Sequence, residues 1–554
     1  MRRRWNRSVG TALLAFAASA ALYGAVATCL PFYDKGEPRE ALVVQAMVRG
    51  DGMILPRPDG RHLPSKPPLF HWLAALAVAS GGHAGELAMR FPSIVFAALG
   101  VCLTVAVAGQ AYGVTAGLIS GVVLASSFEW FRAATQSRVD MTLTFLVVLA
   151  ILAWHRGMTR PENRAAVRVG YLAATAAVLT KGPIGLVLPV LVLAAEALRR
   201  REPRALLRLM DVPATLCMLA AGAGWYGLAW TQGGTEFARR HLVEENVQRF
   251  VGWGTVAHRN PALYYVPALA GAFLPWTFAL PVAFRRVWAR RERLDGFLLT
   301  WIVTVFCFYS LATGKRSTYL LPIFPPLAMF TGAALAVAFE HSPARGVRAA
   351  ILGAGIAVLL VAAAFGLDLA APVIQLLGAF IRGSDRARLP AALTVVREQR
   401  WAIAMTFATV GTALVVFGNP RSSQTSRLAS LTTMALAATV GLTAFGTYPV
   451  ARKLTTRPFA ERVKAHLRPG DRLCACGDLD WGLRFYLGQT VPPCATVGPL
   501  QPDARASAIQ PVVANTHGAR RRYRVWPLRD DTAGRACRAH DRGVIVPRLA
   551  GAPG

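Results

Sequence analysis

The chain has 554 residues, 54% apolar and 16% charged. A soluble domain carries about 25% charged residues, so a water-soluble globular protein is excluded. The net charge of +32 sits largely in short clusters between apolar runs, such as Arg199–Arg201, Arg285–Arg286 and Arg290–Arg293; that is the signature of membrane orientation and of contact with anionic lipid, and it excludes nucleic-acid binding.

In chain order, the basic start MRRRWNRSVG leads into an apolar stretch from Thr11 to Pro31. This is too long for a signal-peptide core and reads as a retained first span with a cytoplasmic amino terminus. A long loop follows, 32–90, dense in charge, glycine and proline. Ionisable groups are costly at membrane depth, so this loop belongs in water or against a protein-walled cavity. Within it Leu69–Ser80 is apolar but too short to cross, which predicts an interfacial or re-entrant helix. Further spans are expected near 91–110, 114–132, 141–155, 166–180, 183–198, 211–231, 263–284, 297–312, 319–339, 349–370, 401–417 and 429–447, about thirteen in all.

The basic loops at 156–168, 199–208, 285–293, 341–348 and 418–427 then share the side of the amino terminus. The loops after Tyr33, around Asp140, Lys181, Arg249 and Lys315, and the chain after Tyr448, share the other side. The expected fold is an all-α polytopic membrane domain over 1–447 with a small soluble periplasmic domain over 448–554, its tail poorly ordered. Cys474, Cys476, Cys494 and Cys537 in that domain are compatible with one or two disulfides in an oxidising compartment. A metal site on Cys474 and Cys476 with His517 or His540 is the alternative, disfavoured because the second ligand pair lacks compact spacing. Cys29, Cys102, Cys217 and Cys307 fall in or beside spans and read as small packing residues.

Five motifs fall on the outer side, with a weaker one at Lys181. In the first loop, Asp34, Glu37, Arg39 and Glu40 cluster directly after a span. A carboxylate there suits a general base or the ordering of an acceptor, although a solvated loop is the plain alternative. Lys66, in SKPPLFHW, projects a point charge suited to phosphate; an interfacial anchor would use the same residues. Arg138 and Asp140 precede a span, where Asp also offsets a helix dipole. Lys181, in LTKGPIG, reads as the water-exposed tip of a tight turn. Asn246 and Arg249, three apart, share a helix face, with an ion pair to Glu244 or Glu245 as the alternative. Lys315 and Tyr319 stand one helical turn apart at the mouth of a span, where an aromatic-belt pair is the alternative. Lys66, Arg249 and Lys315 lie on the side where positive charge is not needed for orientation, which points to a shared anion.

These motifs, in this order and over about residues 11–340, resemble the integral-membrane glycosyltransferases of the protein O-mannosyltransferase superfamily, most nearly the branch containing the bacterial lipid A aminoarabinose transferases. The resemblance implies the GT-C fold, a polyprenyl-phosphate sugar donor (undecaprenyl), inversion at the anomeric carbon and an outward-facing site in a bacterial inner membrane. It aligns the family's Asp-Glu-x-Arg motif with Gly36-Glu37-Pro38-Arg39, so the Asp is replaced by Gly36. Glu37 is then the first choice for activating or positioning the acceptor, with Asp140 second and Asp34 reaching in from a neighbouring turn. Lys66-Pro67 matches a donor-phosphate motif, Arg249-Phe250 an Arg-Phe pair, and Lys315 and Tyr319 the later outer loop; Asn246 stands where a His is common. Lys66, Arg249, Lys315 and Tyr319 are expected on the donor phosphate, with Arg39, Arg138 and Asn246 supporting. No metal ligand set and no required cofactor are expected, although a divalent metal stays compatible. The acceptor is a lipid such as lipid A, another glycan or a protein. A transporter or flippase for a lipid-linked anion is the competing reading, disfavoured because the charges lie at one mouth and no internal repeat is visible.

Overall fold

The computed structural model describes residues 2–58, 63–81, 84–248, 260–290, 292–340, 345–378, 389–467, 472–475, 479–492, 506–511 and 523–528. Helices dominate because a chain this apolar must satisfy its own backbone groups away from water. The first helix, α1, spans Arg2–Cys29. The first loop folds into α2, Gly36–Val48, and α3, Leu69–Gly81, before the long α4, Glu86–Tyr112. Then come α5, Val114–Ser126, α6, Phe128–Ala134, α7, Val139–Thr159, α8, Arg164–Lys181, and α9, Ile184–Arg199. The next helix, α10, Val212–Ala238, runs into a π-helical stretch, Arg239–Gln248.

Among the described residues nine helices are long and apolar enough to cross a membrane, or up to eleven if two bent pairs each count as one span. Each of the thirteen expected stretches falls on a helix or a helix pair. The difference from thirteen lies in α8 and α9: α8 carries Arg164, Arg168 and Lys181, and α9 has only 16 residues. One bent pair is α5 with α6, turned by 68° at the extended residue Ser127. The other joins Tyr265–Ala272 to Trp276–Trp288 at 106°, across Pro275. Leu13, Leu14, Leu172, Leu216, Val303 and Leu360 are exposed on the outside of the bundle, as a lipid-facing surface requires. Cys29, Cys217 and Cys307 are exposed as well, so they do not fill packing gaps as expected.

The helices approach closely through small residues. A side chain at Gly117 would meet the backbone of Gly109 on α4, and one at Gly332 would meet Ser120 on α5. At one end of the bundle the basic loops touch each other. Arg164 donates to the carbonyls of Arg208 and Met210, Arg208 donates to Met158, and the Arg199 guanidinium lies against Gly296. Their expected common side is therefore seen as spatial proximity.

The last apolar helical run extends from Gln424 to Leu454, past the expected boundary at Tyr448. Beyond it a small α/β unit forms from α11, Arg457–His466, and α12, Trp481–Leu487, with a three-stranded sheet. In that sheet β1, Arg472–Ala475, pairs parallel with β2, Ala506–Pro511, which pairs antiparallel with β3, Tyr523–Leu528. Ala460, Val463, Leu473, Leu483 and Leu487 form its core. Cys474 is disulfide-bonded; Cys476, Cys494, Cys537, His517 and His540 lie outside the described residues.

Candidate active site

The first loop is held at its start by Asp34. Its Oδ1 accepts the backbone N–H groups of Gly36 at 2.8 Å and Glu37 at 2.9 Å, which satisfies two of the free donors at the amino end of α2. Its Oδ2 faces the Arg138 guanidinium at 3.5 Å. Arg138 in turn reaches Asp140 at 3.3 Å, and Lys181 donates to the other oxygen of Asp140. The Lys181 ammonium also lies 4.9 Å from the centroid of the Tyr319 ring, which packs against Tyr309. Asp34, Arg138, Asp140, Lys181 and Tyr319 thus form one continuous constellation drawn from four chain segments.

Position 36 explains part of this arrangement. A Cβ built on Gly36 would overlap Nη1 and Cζ of Arg138. The guanidinium occupies the space a side chain would take, and the carboxylate it faces comes from Asp34 two residues earlier. Burial pushes the Arg138 pKa down, but Asp140 and Asp34 outweigh it and raise it, so Arg138 is a fixed cation.

Glu37 has a different environment. It is fully buried and accepts from Arg90 Nε at 2.9 Å, from Arg90 Nη2 at 3.2 Å and from the Ser137 amide at 2.8 Å. Arg90 is also fully buried; it donates to the Ala27 and Leu30 carbonyls at the end of α1 and stacks 4.9 Å over the Phe32 ring. Complete burial pushes the Glu37 carboxyl above its ordinary range against the pull of Arg90 and the Ser137 amide. Glu40 is also occupied, accepting from Arg39 at 2.7 Å and pairing with the buried His71 of α3 at 2.9 Å. Burial would raise the Glu40 carboxyl, but Arg39 and His71 together hold it well below the usual carboxylate range. Arg39 is half-exposed and paired with Glu40.

Of the expected phosphate-binding cations, Lys66 is buried in the turn before α3, in a loop that the π-helical stretch anchors through His241 Nε2 and the Pro64 carbonyl at 2.7 Å. Lys315 is buried and donates to the carbonyls of Ala312 and Asn260, and burial lowers its pKa. It precedes the 3-10 helix Ser317–Ile323, and Arg316 is extended, so Lys315 and Tyr319 do not share a helix face as expected. The run of prolines at Pro322, Pro325 and Pro326 disfavours an earlier α-helical start. Arg249 and the side chain of Asn246 lie outside the described residues.

Beside this constellation opens a cleft of about 1220 Å³, mouth included. Phe128, Phe131, Leu274, Phe278, Phe407 and Leu442 line its apolar part, and Tyr33, Glu37, Arg90, Arg132 and Gln136 its polar end. Arg132 forks onto Glu129 at 2.6 and 2.8 Å and donates to Gln136 at 2.9 Å, while Ser317 donates to Glu129 at 3.0 Å. None of the lining residues comes from α3, so the short apolar helix is not the wall of this cleft.

Sequence reasoning missed Arg90, Arg132 and the importance of Lys181. Arg90 sits in an apolar run four residues after Glu86, and a charge within a span is by itself a signal of a partner or a site. In sequence Lys181 looks like an exposed turn tip, yet the chain turns at Gly182, φ 83°, and Lys181 donates to Asp140.

Residues 65–226 match the family model described as dolichyl-phosphate-mannose-protein mannosyltransferase. An undecaprenyl phosphate-alpha-4-amino-4-deoxy-L-arabinose arabinosyl transferase of Pseudomonas paraeruginosa is 31% identical over 346 residues, covering 61% of this chain and 62% of the relative. A second, from Pseudomonas aeruginosa strain LESB58, is 32% identical with the same coverage. The match thus spans less than two thirds of these relatives. Among solved structures, ArnT from Cupriavidus metallidurans bound to undecaprenyl phosphate superposes with a TM-score of 0.74 at 21% identity, covering 94% of this chain and 98% of that one. The apo form of the same protein gives 0.72 at 24% identity, covering 90% and 93%.

The chain therefore has the GT-C fold of ArnT. Within that fold, the chain is similar over 61% of its length to aminoarabinose transferases.

Proposed function

We propose that the protein is a glycosyltransferase that moves a sugar from an undecaprenyl-phosphate donor to an acceptor at the outer face of a bacterial inner membrane, with lipid A as the leading acceptor. The observation that carries this reading is the chain Asp34–Arg138–Asp140–Lys181, held beside a largely apolar cleft. In the reaction an acceptor oxygen forms a bond to the anomeric carbon from the face opposite the lipid phosphate. The bond from that carbon to the phosphate oxygen breaks, its electron pair stays on the phosphate, and any acceptor proton passes to a carboxylate. Lys66, Lys315 and Arg249 neutralise the charge gained by the leaving phosphate, a preorganised electrostatic role, and Tyr319 positions it. Glu37 is enclosed by Arg90 and Ser137, so the acceptor-ordering work falls to Asp140, with Asp34 setting the position of Arg138. A phosphate oxygen as acceptor is already ionised and needs no strong base.

The test uses the full-length protein in lipid nanodiscs with undecaprenyl-phosphate aminoarabinose and lipid A, followed by mass spectrometry of the lipid product. Transfer by wild type and its loss in Lys66→Ala and Lys315→Ala are expected. Movement of the donor between leaflets of sealed vesicles without sugar transfer would instead establish the flippase reading.

A further inference from the structure

The small α/β unit at the carboxyl end reaches the acidic first loop mainly through α12. Its Tyr486 hydroxyl accepts the backbone N–H of Phe32 at 2.7 Å and donates to Glu86 at 3.0 Å, and Arg457 of α11 meets the same Glu86 at 3.3 Å. Phe485 packs at a tilt of 52° against Phe32 with ring centroids 4.8 Å apart, and its carbonyl accepts from Gln45 of α2 at 3.5 Å. Phe485 joins the buried cluster of Phe32, Ala41, Leu42, Met47, Val78 and Met89, which is otherwise built by the first loop and the start of α4.

Phe32 is the junction. On one side it carries Tyr486 and Phe485; on the other its ring lies under Arg90, the guanidinium that fixes Glu37. Two residues further on stands Asp34, whose carboxylate faces Arg138. From Tyr486 to Asp140 the path is therefore a series of direct contacts and one two-residue step of backbone. The α/β unit lies beyond the residues matched by the family model, so its link to the loop is read from the geometry alone.

We propose that Tyr486 is a positioning residue, through which the carboxyl-terminal unit latches the first loop and sets Asp34 and Arg138 in place for the reaction. A Tyr hydroxyl suits this role because it both accepts from the buried Phe32 amide and donates to the part-buried Glu86 carboxylate. Removing the hydroxyl alone leaves the Phe32 amide without that acceptor while the aromatic packing on Phe32 stays. The loop should then open locally rather than unfold the protein.

The catalytic arm of the test rests on the glycosyltransferase reading, whereas the exchange arm does not. Full-length Tyr486→Phe in nanodiscs is compared with wild type and with Val463→Ala, which thins the core of the α/β unit away from the latch. Hydrogen–deuterium exchange of the segment 32–40 should quicken by about tenfold or more in Tyr486→Phe. It should stay within about twofold of wild type in Val463→Ala and in Glu86→Gln, which still offers Tyr486 an acceptor. In the transfer assay kcat should fall about tenfold, with KM for the donor within about twofold. Exchange at the wild-type rate in Tyr486→Phe, equal loosening by Val463→Ala, or an unchanged kcat would each overturn the latch. If wild type transfers no sugar, the functional reading fails while the exchange result still decides the latch.

Discussion

Replacing Glu37 by Gln separates a structural ion pair from a catalytic carboxylate. The substitution keeps the shape and leaves an acceptor for Ser137, but removes the charge opposite Arg90. Both side chains are fully buried, and a guanidinium cannot shed its proton to escape the mismatch. Breaking one side of such a pair costs about 3–5 kcal/mol. The converse change, Arg90→Met, leaves a carboxyl that burial already pushes upward, so it can take a proton and avoid a bare charge. Arg90→Met should therefore cost less than Glu37→Gln, although the Ala27 and Leu30 carbonyls lose a donor. Its stability should also depend on pH. The folded pKa of Glu37 lies above the unfolded one, so the folded state binds the extra proton, and stability is greatest in acid and declines as pH rises through the folded value. Reversible denaturant titration of both variants and the double variant across about pH 5–8 measures this. A cost for Glu37→Gln below about 1 kcal/mol, or equal and pH-independent costs for the two single variants, would refute the reasoning.

Three further outcomes are expected. Gly36→Ala should displace the far end of Arg138 and reduce transfer at least about tenfold while changing stability by only about 1 kcal/mol, read by transfer assay and denaturant midpoint. Asp140→Asn leaves Lys181 without its carboxylate and Arg138 with Asp34 alone; transfer should fall at least about a hundredfold, with undecaprenyl phosphate affinity equal or tighter because positive charge is released. Burial lowers the pKa of Lys315, so undecaprenyl phosphate affinity should weaken as pH rises towards the ordinary lysine value of about 10.4, because the deprotonated amine no longer attracts the phosphate. Fluorescence titration of the lipid phosphate in Lys315→Arg should lose that dependence, and an identical pH profile in both proteins would exclude Lys315.

Much of the architecture was legible because hydropathy and loop charge report on the same membrane from two directions. The basic loops that orientation rules gather on one side do meet in space through Arg164, Arg208 and Arg199. The sequence could not tell a helix from a span at α8 and α9, where length and charge fall short of a crossing. At the site, Asp34, Arg138 and Asp140 were identified as a set of residue types, but not as a chain of contacts, since residues over a hundred positions apart carry no periodic signal. Glu37 was read as a free acid because its partner, Arg90, is 53 residues away inside an apolar run. Lys181 was misread because a turn lysine looks the same in sequence whether it faces water or a carboxylate.

The contact between Phe32 and Tyr486 joins positions 454 residues apart. During synthesis the first loop emerges near the outset, and the helix that receives it follows only after the apolar helices. Until then Phe32 has neither its acceptor nor its ring neighbour, and the loop must wait in a provisional state. Completion of the loop's packing is in this way tied to completion of translation. Ribosome-stalled or truncated intermediates would carry all the spanning helices and still lack a finished loop.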